Sequence, residues 1–140
     1  MTRYWLAVVS RDHVQRGVEQ GIAQANHGKR APVERMSPGD GFVYYSPRTG
    51  MREGEPVRAF TALGTIDDVP VWQAEDQGGC FRPWRRRVSY DKTARQTPIA
   101  ELQTELDLTS TPNWGIVLRR GLVELTAHDF DLISRAMVGR

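Results

Sequence analysis

The sequence predicts one α+β domain whose mostly antiparallel sheet can close into a small barrel flanked by helices. Three observations carry this. The chain has 140 residues, 39% of them apolar, which suits a single core spanning residues 1–140. Its apolar periodicity gives the order strand, helix, several strands, short helix, strand, helix. Consecutive strands are joined by turns rather than by crossover helices, which argues against a doubly wound parallel sheet.

The elements follow in order. "RYWLAVV" (Arg3 to Val9) is a short β-branched and aromatic run and reads as a buried strand. Ser10 is the candidate N-cap of a helix through Asn26, with Asp12 in its first turn and Val14, Val18, Ile22 and Ala25 on one face. Gly17 and Gly21 share a side of that helix and imply close packing on the sheet. "MSPGD" (Met36 to Asp40) is a turn, "GFVYYSP" (Gly41 to Pro47) a strand, and "RTGMREGEP" a polar loop. Val57 to Gln73 gives one or two strands with Gly64 as a candidate bulge, and Phe81 to Asp91 ends in an alternating strand. Thr97 to Asp107 reads as a short helix and Leu122 to Leu125 as a strand. Thr126 caps a last helix to Met137, with Asp129 at the capping-box position and Phe130, Ile133 and Met137 on its apolar side.

Composition narrows the function classes. No stretch approaches the roughly 18 apolar residues of a membrane span. The apolar run Tyr4 to Val9 is too short for a signal-peptide core, so the cytoplasm is the expected compartment. The lone cysteine, Cys80, excludes an internal disulfide and a Cys-based zinc site, and it reads as a plain small residue rather than a reactive thiol. His13, His27 and His128 show no metal-ligand spacing, no phosphate-cradling glycine loop is present, and neither metal nor cofactor is expected. Net charge is only +2, but 17 of the 19 basic residues are Arg, a composition compatible with phosphate and base contacts. The dense basic cluster is "RPWRRR", Arg82 to Arg87.

What remains is a set of aromatic rings beside polar and basic groups. Trp5, Tyr44, Tyr45, Phe81, Trp84 and Trp114 accompany Ser10, His27, Lys29, Ser46, Arg82 and Asn113. Flat π-faces with a few hydrogen-bonding groups and nearby cations are what a nucleobase pocket requires. Any one of these rings can equally be core, Trp5 in its apolar run above all.

The strings "YWLAVVSRDHVQRGVEQGIAQANHGKRAPVERMSPGDGFVYYSPR", "FRPWRRRVSY" and "NWGIVLRRGLVELTAHDF" resemble the EVE domain family, part of the PUA-like group that also holds YTH and ASCH domains. The resemblance covers essentially the whole chain. It implies a small, strongly curved β-barrel with flanking helices and a non-catalytic role in recognising a modified nucleobase of DNA or RNA. By motif it places Ser10 at the end of the first strand, and His27, Gly28 and Lys29 at a polar corner. Tyr45, Ser46 and Pro47 end the second strand, and Arg82 and Asn113-Trp114-Gly115 come from later in the chain. Arg30 stands where a second basic residue is usual.

The expected pocket wall therefore includes Trp5, Ser10, His27, Gly28, Lys29, Tyr45, Ser46, Pro47, Arg82, Asn113 and Trp114. Gly28 takes a left-handed turn there. Lys29, Arg30, Arg85, Arg86 and Arg87 are expected on the nucleic-acid backbone. The expected partner is a modified strand or nucleoside, bound by a monomer. Two other readings stay open. One is a sensor of, or enzyme acting on, a small nucleotide-like ligand, with His27 as the acid or base. The other is an RNA-binding accessory protein relying on Arg82 to Arg87, whose binding would fall steeply with salt.

Overall fold

The computed structural model describes residues 1–50, 53–75 and 81–139, so Cys80 lies outside the described residues. The chain opens with β1 (Tyr4–Val8) and α1 (Arg11–Gln20). Helix α1 starts after Ser10 as expected but ends at Gly21, which adopts the left-handed conformation at φ 67° and closes the C-terminus. Ile22 therefore leaves the helix face assigned to it and begins a two-residue strand, β2 (Ile22–Ala23). Gly17 keeps its packing role, since a Cβ there would lie 3.0 Å from the Ile22 carbonyl oxygen.

A 3-10 turn (Asn26–Gly28) and a short α2 (Arg30–Arg35) lead to β3 (Gly41–Arg48). Strands β4 (Pro56–Ile66), β5 (Trp72–Gln73), β6 (Trp84–Tyr90) and β7 (Thr97–Pro98) follow. The chain finishes with α3 (Trp114–Leu118), β8 (Leu122–Leu125) and α4 (Ala127–Val138). The main sheet runs β2-β6-β4-β3-β1-β8, with β5 on β6 and β7 on β4. It curls strongly into a half-barrel, so the architecture is the expected α+β one.

The pairing is antiparallel except between β1 and β3, which run parallel with Trp5 opposite Phe42 and Val8 opposite Tyr45. That pair needs a crossover, and the segment from α1 to α2 supplies it. The turn-only connectivity read from the sequence fails at this one point. One register shift falls at Thr61, because Tyr44 pairs with Ala62 and Tyr45 with Phe60, and a second lies between Ser46 and Arg48. Gly64 is instead a close approach: a Cβ there would lie 2.7 Å from the Ser89 carbonyl oxygen of β6.

The helix expected at Thr97 to Asp107 is replaced by β7, one 3-10 turn (Ile99–Glu101) and further turns. Pairing of Thr97 with Phe60 and of Pro98 with Ala59 holds this start extended. Ile99, Leu102 and Leu106 are still buried, so the apolar spacing is satisfied without a continuous helix. The expected cap of α4 is present, with Thr126 Oγ1 accepting from the Asp129 amide at 3.1 Å.

The two faces of the sheet bury two clusters. One contains Trp5, Val14, Phe42 and Tyr44 and lies under α1 and α2. The other contains Leu6, Tyr45, Phe60, Ile133 and Met137 and lies under α4. Alternation along β1 and β3 sends Trp5 and Leu6, and Tyr44 and Tyr45, to opposite sides.

Candidate nucleic-acid interface

A cavity of about 810 Å3 opens beyond the C-terminal ends of β1 and β3. Its volume is within the range of about 300–1,000 Å3 usual for small-molecule sites. Six stretches converge on it. The end of β1 gives Val8, Val9 and Ser10, and α1 gives His13, Arg16, Gly17 and Gln20. The segment after α1 gives Gln24 through Gly28, and the end of β3 gives Tyr44, Pro47 and Arg48. Phe81, Arg85 and the α3 exit at Leu118, Arg119 and Gly121 complete it.

Helical spacing places His13 and Arg16 on one face of α1. Burial and the Arg16 charge hold the His13 ring below the usual histidine range, and His27 adds to this. The far wall is braced by tyrosines. The Tyr44 hydroxyl accepts from the Gln24 amide at 3.1 Å and donates to the Gln24 carbonyl at 3.3 Å. Burial pushes Tyr44 up to about 12. Tyr90 donates to the Ile22 carbonyl at 2.7 Å, and the two rings stack with centroids 6.4 Å apart. These bonds fix the segment that leads into the polar corner.

That corner is conformationally unusual. Asn26, His27 and Gly28 have φ of 49°, 60° and 80° in succession. A Cβ on Gly28 would come within 2.5 Å of the Pro83 Cβ, so only glycine fits between the corner and the strand-entry proline.

The charge pattern is one-sided. Arg16, Arg48, Arg85 and Arg119 line the cavity with His13 and His27, and no Asp or Glu does so among the described residues. Arg85 Nε donates to Gln24 Oε1 at 2.6 Å. Arg16, Arg48 and Arg119 form no ion pair among the described residues.

Of the residues singled out in the sequence, the structure brings Ser10, His27, Gly28, Tyr44, Pro47, Phe81 and Arg85 to this wall. The others are elsewhere. Trp5 is wholly buried and donates its indole N–H to Asp40, as expected of a ring inside an apolar run. Tyr45 faces the opposite cluster, edge-on to Phe60 at 5.9 Å, because its neighbour Tyr44 occupies the cavity side. Ser46 is buried with its hydroxyl 2.8 Å from that of Thr61.

Asn113 is exposed before α3, and Trp114 packs at the edge of the second cluster, so α3 reaches the cavity through its other end. Lys29 is exposed just before α2 and outside the wall.

The basic cluster is dispersed by strand alternation and packing. Arg30 lies over the Trp84 ring at 4.5 Å and pairs with Glu34. Arg82 is exposed and 3.9 Å from Glu75. Arg86 is buried and donates to the Val33 carbonyl at 3.4 Å, while Arg87 donates to the Gln20 carbonyl at 2.7 Å and caps α1. Arg30, Arg86 and Arg87 thus serve the fold.

Sequence reasoning missed Arg16, Arg48, Arg119 and Asn26 as wall residues. The three arginines are far from one another in sequence and converge only through the β1–β3 pairing and the turn of α3. The described residues also bring Asp107, His128 and Asp129 together, with candidate ligand atoms within 4.8 Å of one another. Those atoms are engaged in folding. Asp129 accepts from the Asp107 and Leu108 amides at 2.7 and 2.8 Å, Asp107 accepts from the Thr126 hydroxyl, and His128 Nε2 donates to the Glu105 carbonyl. No described helix is long and apolar enough to cross a membrane.

The chain is similar to known proteins over almost its full length. It is 53% identical over 137 residues to a UPF0310 protein of Renibacterium salmoninarum, covering 98% of this chain and 96% of that one. It is 49% identical to a UPF0310 protein of Mesorhizobium japonicum, covering 98% and 93%. Among solved structures, a YTH domain-containing protein, mmi1, in complex with RNA matches at a TM-score of 0.60 and 14% identity, covering 99% of this chain and 87% of that one. A hypothetical protein from Leishmania major also matches at a TM-score of 0.60, with 14% identity and coverage of 96% and 94%. The model of the EVE domain matches residues 3–136, and the chain belongs to the EVE domain family.

Proposed function

We propose that the cavity binds one nucleobase of a nucleic-acid strand, a modified base in preference to an unmodified one, without chemical turnover. The observation that carries the reading is the cationic cavity wall, with no carboxylate among its described residues. Arg16, Arg48 and Arg119 are free to meet phosphates flanking the bound nucleotide, and Phe81 supplies a half-exposed ring at the wall. Extruding a base from a duplex costs a few kcal/mol, so a single strand is the easier substrate. Family membership and the likeness to a YTH domain solved with RNA support a nucleic-acid partner. No carboxylate or thiol lines the described wall to act with His13 or His27 as an acid–base or nucleophilic pair, which favours binding over catalysis.

Fluorescence anisotropy with short single strands, each carrying one methylated base or its unmodified counterpart, tests the reading. Binding should fall as salt rises, and Arg48→Ala with Arg119→Ala should flatten that dependence. Equal affinity for modified and unmodified strands would remove modified-base recognition. No binding to any strand at low salt would overturn the whole reading.

A further inference from the structure

We infer that Asn26 is the side chain that reads the hydrogen-bonding edge of the bound base, an inference that rests on the nucleobase reading of the cavity. Asn26 is half-buried at the cavity wall, and its carboxamide has no hydrogen-bond partner among the described residues. Two polar groups of the same wall are engaged: the Tyr44 hydroxyl is held by the Gln24 backbone, and the Gln24 side-chain oxygen is held by Arg85.

The corner has an uncommon backbone and seats this amide against Gly121 at the cavity wall. Asn26 and His27 are consecutive non-glycine residues with φ of 49° and 60°, a conformation non-glycine residues rarely adopt. Two glycines from distant parts of the chain make room for the corner. Gly28 passes Pro83 where no Cβ fits, and a Cβ on Gly121 would lie 1.7 Å from Asn26 Oδ1. Uncommon backbone geometry of this kind concentrates at binding sites, where the surroundings hold it in place.

The chemistry of the wall leaves this amide a defined task. The arginines can only donate, and no carboxylate lines the described wall. The Asn26 carboxamide offers an acceptor beside two donors, the pattern that meets a base edge presenting a donor next to an acceptor. With the Ser10 hydroxyl, which makes no capping bond to α1, and beside Gln20, His13 and His27, it is one of the side-chain acceptors the wall offers to an exocyclic amine. Arg16, Arg48 and Arg119 then hold the strand, and Asn26 ranks its bases.

The experiment measures anisotropy for fluorescein-labelled nine-nucleotide single strands, RNA and DNA. The central base is varied among the four common bases and their methylated forms, and wild type is compared with Asn26→Gly and Asn26→Asp. Glycine tolerates the positive φ, and aspartate keeps the shape while replacing the amide nitrogen, so at least one variant remains folded by circular dichroism. The wild type should rank the central bases. Asn26→Gly should collapse the ratio of best to worst affinity by about tenfold.

A ranking unchanged in both variants, or a wild type that binds all strands equally, overturns the role of Asn26. A wild type that binds no strand defeats the nucleobase reading itself, a result distinguishable from the other two.

Discussion

The indole N–H of Trp5 donates to Oδ2 of Asp40 across 2.8 Å, and both side chains are almost fully buried. Asp40 also accepts from the amides of Arg3 at 3.1 Å and Ser37 at 2.8 Å. The Arg3 and Arg35 guanidinium groups lie 4.8 and 5.0 Å from the Trp5 ring centroid. One carboxylate thus ties the start of β1 to the turn before β3. Asp40→Ala strands three buried or half-buried donors and should cost about 3 kcal/mol. Urea denaturation measures it, and a loss below about 1 kcal/mol would show that the carboxylate does not organise the turn.

Tyr44 couples the core to the cavity. Tyr44→Phe removes both hydrogen bonds to the Gln24 backbone, leaving those two groups to solvent or to each other's neighbours. The expected loss is about 1–2 kcal/mol of stability, with weaker strand binding because the approach to Asn26 loosens. Since burial pushes the hydroxyl up to about 12, neither property should change between neutral pH and about pH 9 through ionisation of Tyr44. Spectrophotometric titration and denaturation at several pH values test this.

Trp114 and Arg119 occupy opposite ends of α3 and should separate stability from binding. Trp114→Ala should lower stability by about 1–3 kcal/mol through lost packing and leave strand affinity within about twofold. Arg119→Ala should leave stability within about 0.5 kcal/mol and weaken strand binding at low salt. Calorimetric melting beside anisotropy distinguishes them, and the reverse pattern would place the ligand at Trp114.

The histidines give opposite pH signatures. The hydrogen bond to the Glu105 carbonyl holds His128 above the usual histidine range, with Asp107, Asp129 and Asp131 adding to it. Its charged form is favoured by folding, so the stabilisation is complete below the unfolded value near 6.5 and is lost as pH rises through the folded value. Burial and Arg16 hold His13 below the usual range, so folding disfavours its charge and stability falls as pH drops through the unfolded value toward the folded one. Proton NMR should find the His128 midpoint above that of His13. Replacing His128 by Gln should destabilise the protein at about pH 5 and not at about pH 8; the same penalty at both values would rule out the linkage.

Much of the fold was legible because it follows from local rules. Apolar runs bounded by turn residues matched β3 and β8 almost to the residue, and Ser10 and Thr126 marked the starts of α1 and α4. The family could be read because the string around His27 to Pro47 is long and ordered. Tertiary structure decided which faces those elements turn to the cavity. Nothing local distinguishes Tyr44 from Tyr45, but pairing of β3 with both β1 and β4 commits one to each cluster. Nothing local holds Thr97 and Pro98 extended; β4 does. The basic run Arg85 to Arg87 looked like one patch, yet alternation along β6 sent its members to a cavity wall, a buried carbonyl and a helix end. Arg16, Arg48 and Arg119, and the room Gly121 leaves for Asn26, come together only when segments distant in sequence are packed. The sequence by itself therefore determined most of the elements and the family, because these depend chiefly on neighbours along the chain. The tertiary structure decided the cavity wall, because that depends on neighbours across it.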